Sequence, residues 1–252
     1  GLQRMGNLRE AEKIYRDVIL KDPSNVDALR LLADVAMRAR QWGDAQALLE
    51  RALEISPDFN QGWMDLGLAR QEQDAADTAI EAYERVMRLE PNRPRAFVAA
   101  ATVHAMHGRH DTAIDLYNEA LQKDPKHFGA LSGLGHVLKT IGNQEEAIAR
   151  YRECVGHTPS HGETWWSMAN LKTFKFEDSD IDVMMSQIAN KALVSEQRAN
   201  FEFALGKAFE DRKDYDRAFE HYASGNENRR ERETYDPVQT ADLHDKFIAT
   251  FS

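Results

Sequence analysis

Five prolines stand at positions 23, 57, 91, 125 and 159, each 34 residues after the last. A fixed period of that length marks a unit too small to bury a core alone, stacked so that neighbours bury it together. Other positions keep the same rhythm. Ala45, Ala79, Ala113 and Ala147 each precede a proline by 12 residues, and Tyr15, Leu49, Tyr83, Tyr117 and Tyr151 precede one by eight. Leu29, Trp63, Phe97 and Leu131 stand near the starts of the copies. Leu32, Leu66, Ala100 and Leu134 follow, and then the small Ala33, Gly67, Ala101 and Gly135.

Each class has a task in a helix–turn–helix unit. Small residues such as Gly67 and Ala79 let two helix backbones approach, and large ones such as Trp63 and Tyr83 fill the space between units. Proline, with no N–H and a preceding residue biased away from helix, stops the second helix. Segments such as "GNQEEAIARYREC" and "GRHDTAIDLYNEAL" carry helical apolar spacing after a glycine-containing turn.

This pattern resembles the tetratricopeptide repeat (TPR) family. The resemblance implies an all-α, right-handed superhelical solenoid of TPR helix–turn–helix repeats. Residues 1–161 are expected to hold a half repeat, where Gly6 and Ala11 fit a turn and second helix, followed by four regular units. Residues 162–198 keep Trp165, Met168 and Ala169, but "KFEDSD" replaces the turn and no proline closes the copy. A second helix is expected there with Ile181, Met185 and Ile188 on one face, then a connector "KALVSEQR". Register returns over 199–232 with Leu205, Gly206, Ala218 and Tyr222, and 233–252 is expected to be a capping helix.

Residues 162–252, through "WWSMANLKTFKFEDSDI", "FALGKAFEDRKDYDRAFEHYASGNENRR" and "YDPVQ", also resemble the joint between repeats and catalytic domain in bacterial TPR-linked sulfotransferases. That resemblance implies a following domain using 3′-phosphoadenosine-5′-phosphosulfate (PAPS), with a Pro-Arg-Ser-Gly-Thr loop whose backbone amides hold phosphate. The loop does not occur in this sequence, so no catalytic residue and no cofactor are assigned to these residues. The apolar positions Leu243, Phe247, Ile248 and Phe251 are expected to fold back on the last repeat or to dock onto that domain.

A formal net charge of −10 argues against nucleic acid as a partner. The single cysteine, Cys154, excludes an internal disulfide and suits a reducing compartment. No apolar run reaches the roughly 18 residues of a membrane span, so a cytoplasmic protein is expected. His104, His107 and His110 in "HAMHGRH" fall around a turn and read as solvated histidines, not zinc ligands. "HTPSH", the "GK" of "ALGKAF" and the interleaved charges of "ENRRERE" likewise read as structural.

The TPR resemblance implies that the first helix of each unit lines a concave groove for a peptide or protein. Its inward positions would be Asp27, Arg30, Asp34 and Met37; Gln61, Met64, Leu68 and Gln71; Arg95, Val98, Thr102 and Ala105; Gly129, Ser132, His136 and Lys139; then Glu163, Trp166 and Asn170. Asp27, Asp34 and Glu163 balance Arg30, Arg95 and Lys139, so the groove is near neutral in an acidic chain. Met64, Leu68, Val98 and Trp166 are its candidate apolar anchors. The clamp that holds chaperone C-termini is not matched, because Asp34 and Asp65 stand where it needs neutral amides. The asparagine ladder of repeats attached to the O-linked N-acetylglucosamine transferase is not matched either, with only Asn170 in place.

Overall fold

The computed structural model describes residues 8–230, which form thirteen α-helices and no strand. The chain divides into two compact units, Gly1–Gly142 and Asn143–Ser252. The first holds α1 (Leu8–Lys21), α2 (Val26–Arg38), α3 (Trp42–Ile55), α4 (Asn60–Gln71), α5 (Ala76–Leu89), α6 (Pro94–Met106), α7 (His110–Lys123) and α8 (Phe128–Thr140). Consecutive helices pack side by side along this series, and α2 also meets α4, as α6 meets α8.

Two alternating turns generate the series. Between repeats each proline takes the second place of a four-residue turn. It is closed by Asn25 N–H to Asp22 O at 3.2 Å, Phe59 to Ser56 at 3.1 Å, Arg93 to Glu90 at 3.1 Å and His127 to Asp124 at 3.1 Å. The fixed φ of proline suits that place, so the residue both ends one helix and aims the next. Within a repeat the chain reverses through one residue in the left-handed region: Arg40 (φ 58°), Asp74 (60°), Gly108 (72°) and Gly142 (90°). At the first of these, Arg40 donates to Met37 O and Gln41 to Ala36 O, both at 2.9 Å, the paired bonds of a Schellman cap. Asn25 then caps α2 by accepting from Ala28 N at 2.9 Å.

The periodic small residues are where the helices come closest. Ala45, Ala79 and Ala113 have no exposed surface, and Leu49, Tyr83 and Tyr117 are almost as deeply buried. A Cβ at Gly67 would stand 2.4 Å from the ring of Tyr83, so that ring fills the seat the glycine leaves. Tyr83 therefore packs within its own repeat as well as toward Ala96 and Ala100 of the next.

The second unit holds α9 (Gln144–His157), α10 (Gly162–Ala169), α11 (Asp178–Ile188), α12 (Ser195–Asp211) and α13 (Tyr215–Arg230). Tyr151 and Ala147 keep their periodic places and are fully buried. Cys154 stands where Ala52, Val86 and Ala120 stand in earlier repeats; it too is fully buried, and burial pushes its thiol pKa up. That is a packing position, as expected from the sequence.

The stretched copy is built differently. Helix α10 has eight residues, and it packs along α12. Gly162 permits this: a Cβ there would lie 2.7 Å from the backbone carbonyl of Gln197, whose side chain accepts from Gly162 N at 2.7 Å. Helix α11 rests on α12. Its buried face runs through Ile181 and Met184, whereas Met185 is 42% exposed, which corrects the expected face of Ile181, Met185 and Ile188. The helix enters through Glu177, whose N–H donates to Asp180 Oδ2 at 2.9 Å, and this entry sets its rotation. The expected connector 191–198 is also corrected, since its last residues already form the first turn of α12. In the final pair, Tyr222 sits over Gly206, where an added Cβ would be 2.6 Å from the ring. The capping positions Leu243, Phe247, Ile248 and Phe251 lie outside the described residues.

Candidate functional site

In the first unit the inward positions of α2, α4, α6 and α8 separate into used and available side chains. Arg30 is used: its Nη1 donates to Asp65 Oδ2 at 3.2 Å, and Gln61 Nε2 donates to the other oxygen at 2.7 Å. Asp65 is only 8% exposed, and burial raises its carboxyl pKa above the usual range although Gln61 and Arg30 oppose the shift. Asp34 is paired with Arg38 at 3.0 Å. Met64 is buried in the cluster of Tyr83, Val86, Ala96 and Ala100, so it contributes to the core and offers the groove little surface. Leu68 and Arg95 are exposed, and the Arg95 charge lies close enough to Asp65 to oppose the rise of its pKa. Val98 and Lys139 are half-buried.

Among the cavities along these helices, two border the positions expected to face inward. One of about 330 Å³ lies where the start of α4 faces the end of α5 and the start of α6, with Asn60, Gln61, Met64, Arg93 and Arg95 around it. Within it, Asn60 Oδ1 is shielded from solvent and has no hydrogen-bond partner. The other, of about 280 Å³, lies between α6, α7 and α8 and is bordered by Thr102, Ala105, Met106, Tyr117, His136 and Val137. Thr102 Oγ1 donates to Val98 O at 2.9 Å and lies 3.0 Å from the Tyr117 hydroxyl. Burial raises the Tyr117 pKa, so this phenol stays protonated and available for that bond. Ser132 is buried with its Oγ 3.3 Å from His136 Nε2.

In the second unit, Trp166 is half-buried with its ring 5.3 Å from that of Phe203. It is packed against α12 and is not an open anchor. Asn170 is exposed, and its side chain donates to Trp166 O at 2.9 Å, closing the end of α10. Among the apolar core residues of this unit lies an ion pair with one buried partner. Arg152 makes a two-pronged pair with Asp180, its Nη2 2.8 Å from Oδ2, and lays its guanidinium 4.9 Å from the ring of Phe174. Phe174 meets Phe176 edge-on at 4.9 Å, and Trp165 lies 6.1 Å from Phe176.

Sequence reasoning missed three features. Gly133 was not singled out, yet Leu31, Asp65 and Ala99 fill its place in earlier repeats, and its missing side chain is what admits Tyr117, 2.5 Å from a hypothetical Cβ. Met106 and His110, at the edges of the smaller cavity, were read only as part of a turn. The departure of residue 133 from its column was the available signal.

Among the described residues no group of His, Cys, Asp and Glu is placed to hold a metal ion, and no helix is long and apolar enough to cross a membrane. His107 is engaged locally, with Nδ1 2.9 Å from Val103 O.

Stacked helix pairs with alternating proline and left-handed turns define an all-α repeat solenoid. Profiles of the tetratricopeptide repeat match residues 2–64, 64–128 and 104–171, and the chain belongs to that family. Among curated relatives, mouse protein O-mannosyl-transferase TMTC1 is 29% identical over 98 residues, covering 37% of this chain and 10% of its own. Human tetratricopeptide repeat protein 7A is 27% identical over 89 residues, 35% of this chain and 10% of the relative. The chain thus spans about a tenth of the length of these relatives. Among solved structures, MamA superposes with a TM-score of 0.58 at 23% identity, covering 63% of this chain and 92% of MamA. YrrB superposes with a TM-score of 0.51 at 15% identity, covering 82% of this chain and 96% of YrrB. At these identities the superpositions show the fold.

Proposed function

We propose that this chain is a binding scaffold that holds an extended peptide, or such a segment of a partner protein, along the inward positions of α2 to α8. The observation that carries the reading is the row of unfilled space beside those helices. The 280 Å³ cavity is walled by buried core on one side and by exposed Met106 on the other. YrrB, described as a TPR protein with an unusual peptide-binding site, gives the reading a precedent in the same fold. The test is selection of a displayed random-peptide library on the full chain. Binders should converge on a consensus, and Leu68→Asp together with Val98→Asp should weaken them at least about tenfold while leaving the helical signal intact. A library that yields no specific binder removes the reading.

We infer further that the scaffold is the interaction module of a cytoplasmic, PAPS-dependent sulfotransferase of the bacterial TPR-linked kind. The support is the resemblance of residues 162–252 to the joint of those enzymes. The coding sequence after Ser252 tests it. A strand followed by a Pro-Arg-Ser-Gly-Thr-like loop supports the inference, and a stop codon leaves a stand-alone adaptor.

A further inference from the structure

The 280 Å³ cavity lies below the roughly 300–1,000 Å³ of sites that enclose drug-sized ligands, so its size suits one large side chain. Its lining is mainly apolar: Ala105, Met106, Tyr117 and Val137, with Thr102 and His136 at the polar edge. Its floor is fixed. The Tyr117 ring is seated by Gly133 and its hydroxyl by Thr102, so no rearrangement is needed before something enters. One wall adapts: Met106 is 67% exposed on an unbranched, polarizable side chain. His110, also in the lining, has its Nδ1 shielded from solvent with no hydrogen-bond partner.

The charge around this cavity differs from that of the rest of the molecule. Of the thirteen described helices, α6 and α8 alone contain no Asp or Glu, although the chain as a whole carries −10. They do contain Arg95 and Lys139, both at inward positions. Within the first unit these two helices offer an anion a cation and no carboxylate of their own, while the acids of α7, Asp111, Asp115 and Glu119, are exposed. A side-chain-sized apolar pocket lined by two acid-free, cation-bearing helices and by His110 and Tyr117 of α7 suits an apolar residue with acidic neighbours.

Resting on the scaffold reading above, we propose that the α6–α8 pocket is the anchor subsite of the groove. It takes a leucine- or methionine-sized side chain from an extended peptide whose flanking residues are acidic. The flanking carboxylates face Arg95 and Lys139.

Fluorescence-anisotropy titration of the full chain with three synthetic peptides tests this. One has a central Leu among Glu and Asp, one has Ser in place of Leu, and one has Lys in place of the acids. The first should bind at least about tenfold more tightly than either other, the size expected for a buried leucine side chain. Raising salt from about 50 to about 300 mM should weaken it, because exposed charge pairs are screened. Two variants locate the site. Ala105→Phe fills the pocket, and Lys139→Glu reverses the charge at a half-buried position outside the pocket lining, so it remains informative if the first variant unfolds. Each should cost at least about tenfold in affinity. Equal binding of the three peptides, or wild-type binding by Lys139→Glu, overturns the proposal. If library-selected peptides bind the groove but show neither the apolar residue nor the acids, the subsite fails and the scaffold stands. If no library peptide binds, both fail.

Discussion

The regular repeats of α2 to α7 and the stretched copy, α10 and α11 lying against α12, solve one problem in different ways. Each must hold a helix pair that cannot bury itself. The regular repeats do so by shape: a small residue leaves a seat, and a large ring or leucine fills it, as Tyr83 fills the place beside Gly67. The stretched copy does so with polar groups. Arg152 grips Asp180, Arg198 donates to the carbonyls of Ile188 and Asn190 at 2.5 and 2.9 Å, and Gln197 bonds Gly162 N at 2.7 Å. Shape repeats can be copied every 34 residues; a specific ion pair has to be built once. That contrast explains why the rhythm breaks without loss of burial, since Trp165, Phe176 and Met184 are as enclosed as the periodic core.

The largest effect should separate two Arg–Asp pairs. Arg152→Ala leaves the 6%-exposed Asp180 with only the bond it accepts from Glu177 N–H and should destabilise by about 3 kcal/mol, near the low end for breaking a buried pair because the guanidinium itself is partly solvated. Arg30→Ala should cost clearly less, since Arg30 makes one bond of 3.2 Å to Asp65 where Arg152 grips Asp180 with two, and Asp65 keeps its bond to Gln61. Urea melts of the two variants measure the difference. Equal losses would mean that the stretched copy does not depend on its ion pair.

Glycine substitutions sharpen the steric half. Gly67→Ala must displace the Tyr83 ring, and Gly162→Ala must move the Gln197 backbone, so each should lose about 1–3 kcal/mol. Gly43→Ala and Gly156→Ala, on helices where a Cβ meets nothing within 4 Å, should instead gain about 0.5–1 kcal/mol. If all four behaved alike, close approach would not be what these glycines serve.

The left-handed turn residues give smaller shifts. Lys213→Gly and Arg40→Gly relieve positive φ and should raise stability by up to about 1 kcal/mol, whereas Gly108→Ala should lower it by about as much. Thermal melts read the signs.

Acidification gives the smallest effect. Burial lowers the pKa of both His104 in the regular repeats and His161 at the entry to the stretched copy below the ordinary 6.5. The unfolded chain then binds more protons near and below that value, so stability is unaffected well above it and falls as pH drops through it. His161, whose Nδ1 lies 2.7 Å from Thr164 Oγ1, should contribute measurably. The pH slope of the melting midpoint below about 6.5 should flatten in His161→Gln, and an unchanged slope would assign the effect elsewhere.

The periodic parts of the fold were readable from the sequence because one chemical reason recurs: the fully buried Ala45, Ala79, Ala113 and Ala147 mark closest approach in every copy. The face of α11 was not. Ile181, Val183, Met184, Met185 and Ile188 fit more than one helical stripe, and only the Glu177–Asp180 entry and the Arg152 pair choose between them. The groove was half readable. Inward positions are expected from the repeat, but the pairing of Arg30 with Asp65 and the sinking of Met64 depend on neighbours in the next repeat that no template position specifies. Gly133 shows the converse, a departure from the repeat that creates space.

The central claim is that the pocket beside α6 and α8 is where this scaffold meets its ligand. Methyl NMR of protein labelled at methionine tests it most directly. Added acidic, leucine-containing peptide should shift the exposed Met106 methyl and leave the fully buried Met184 methyl in place. A Met106 signal that stays still at saturating peptide would contradict the account.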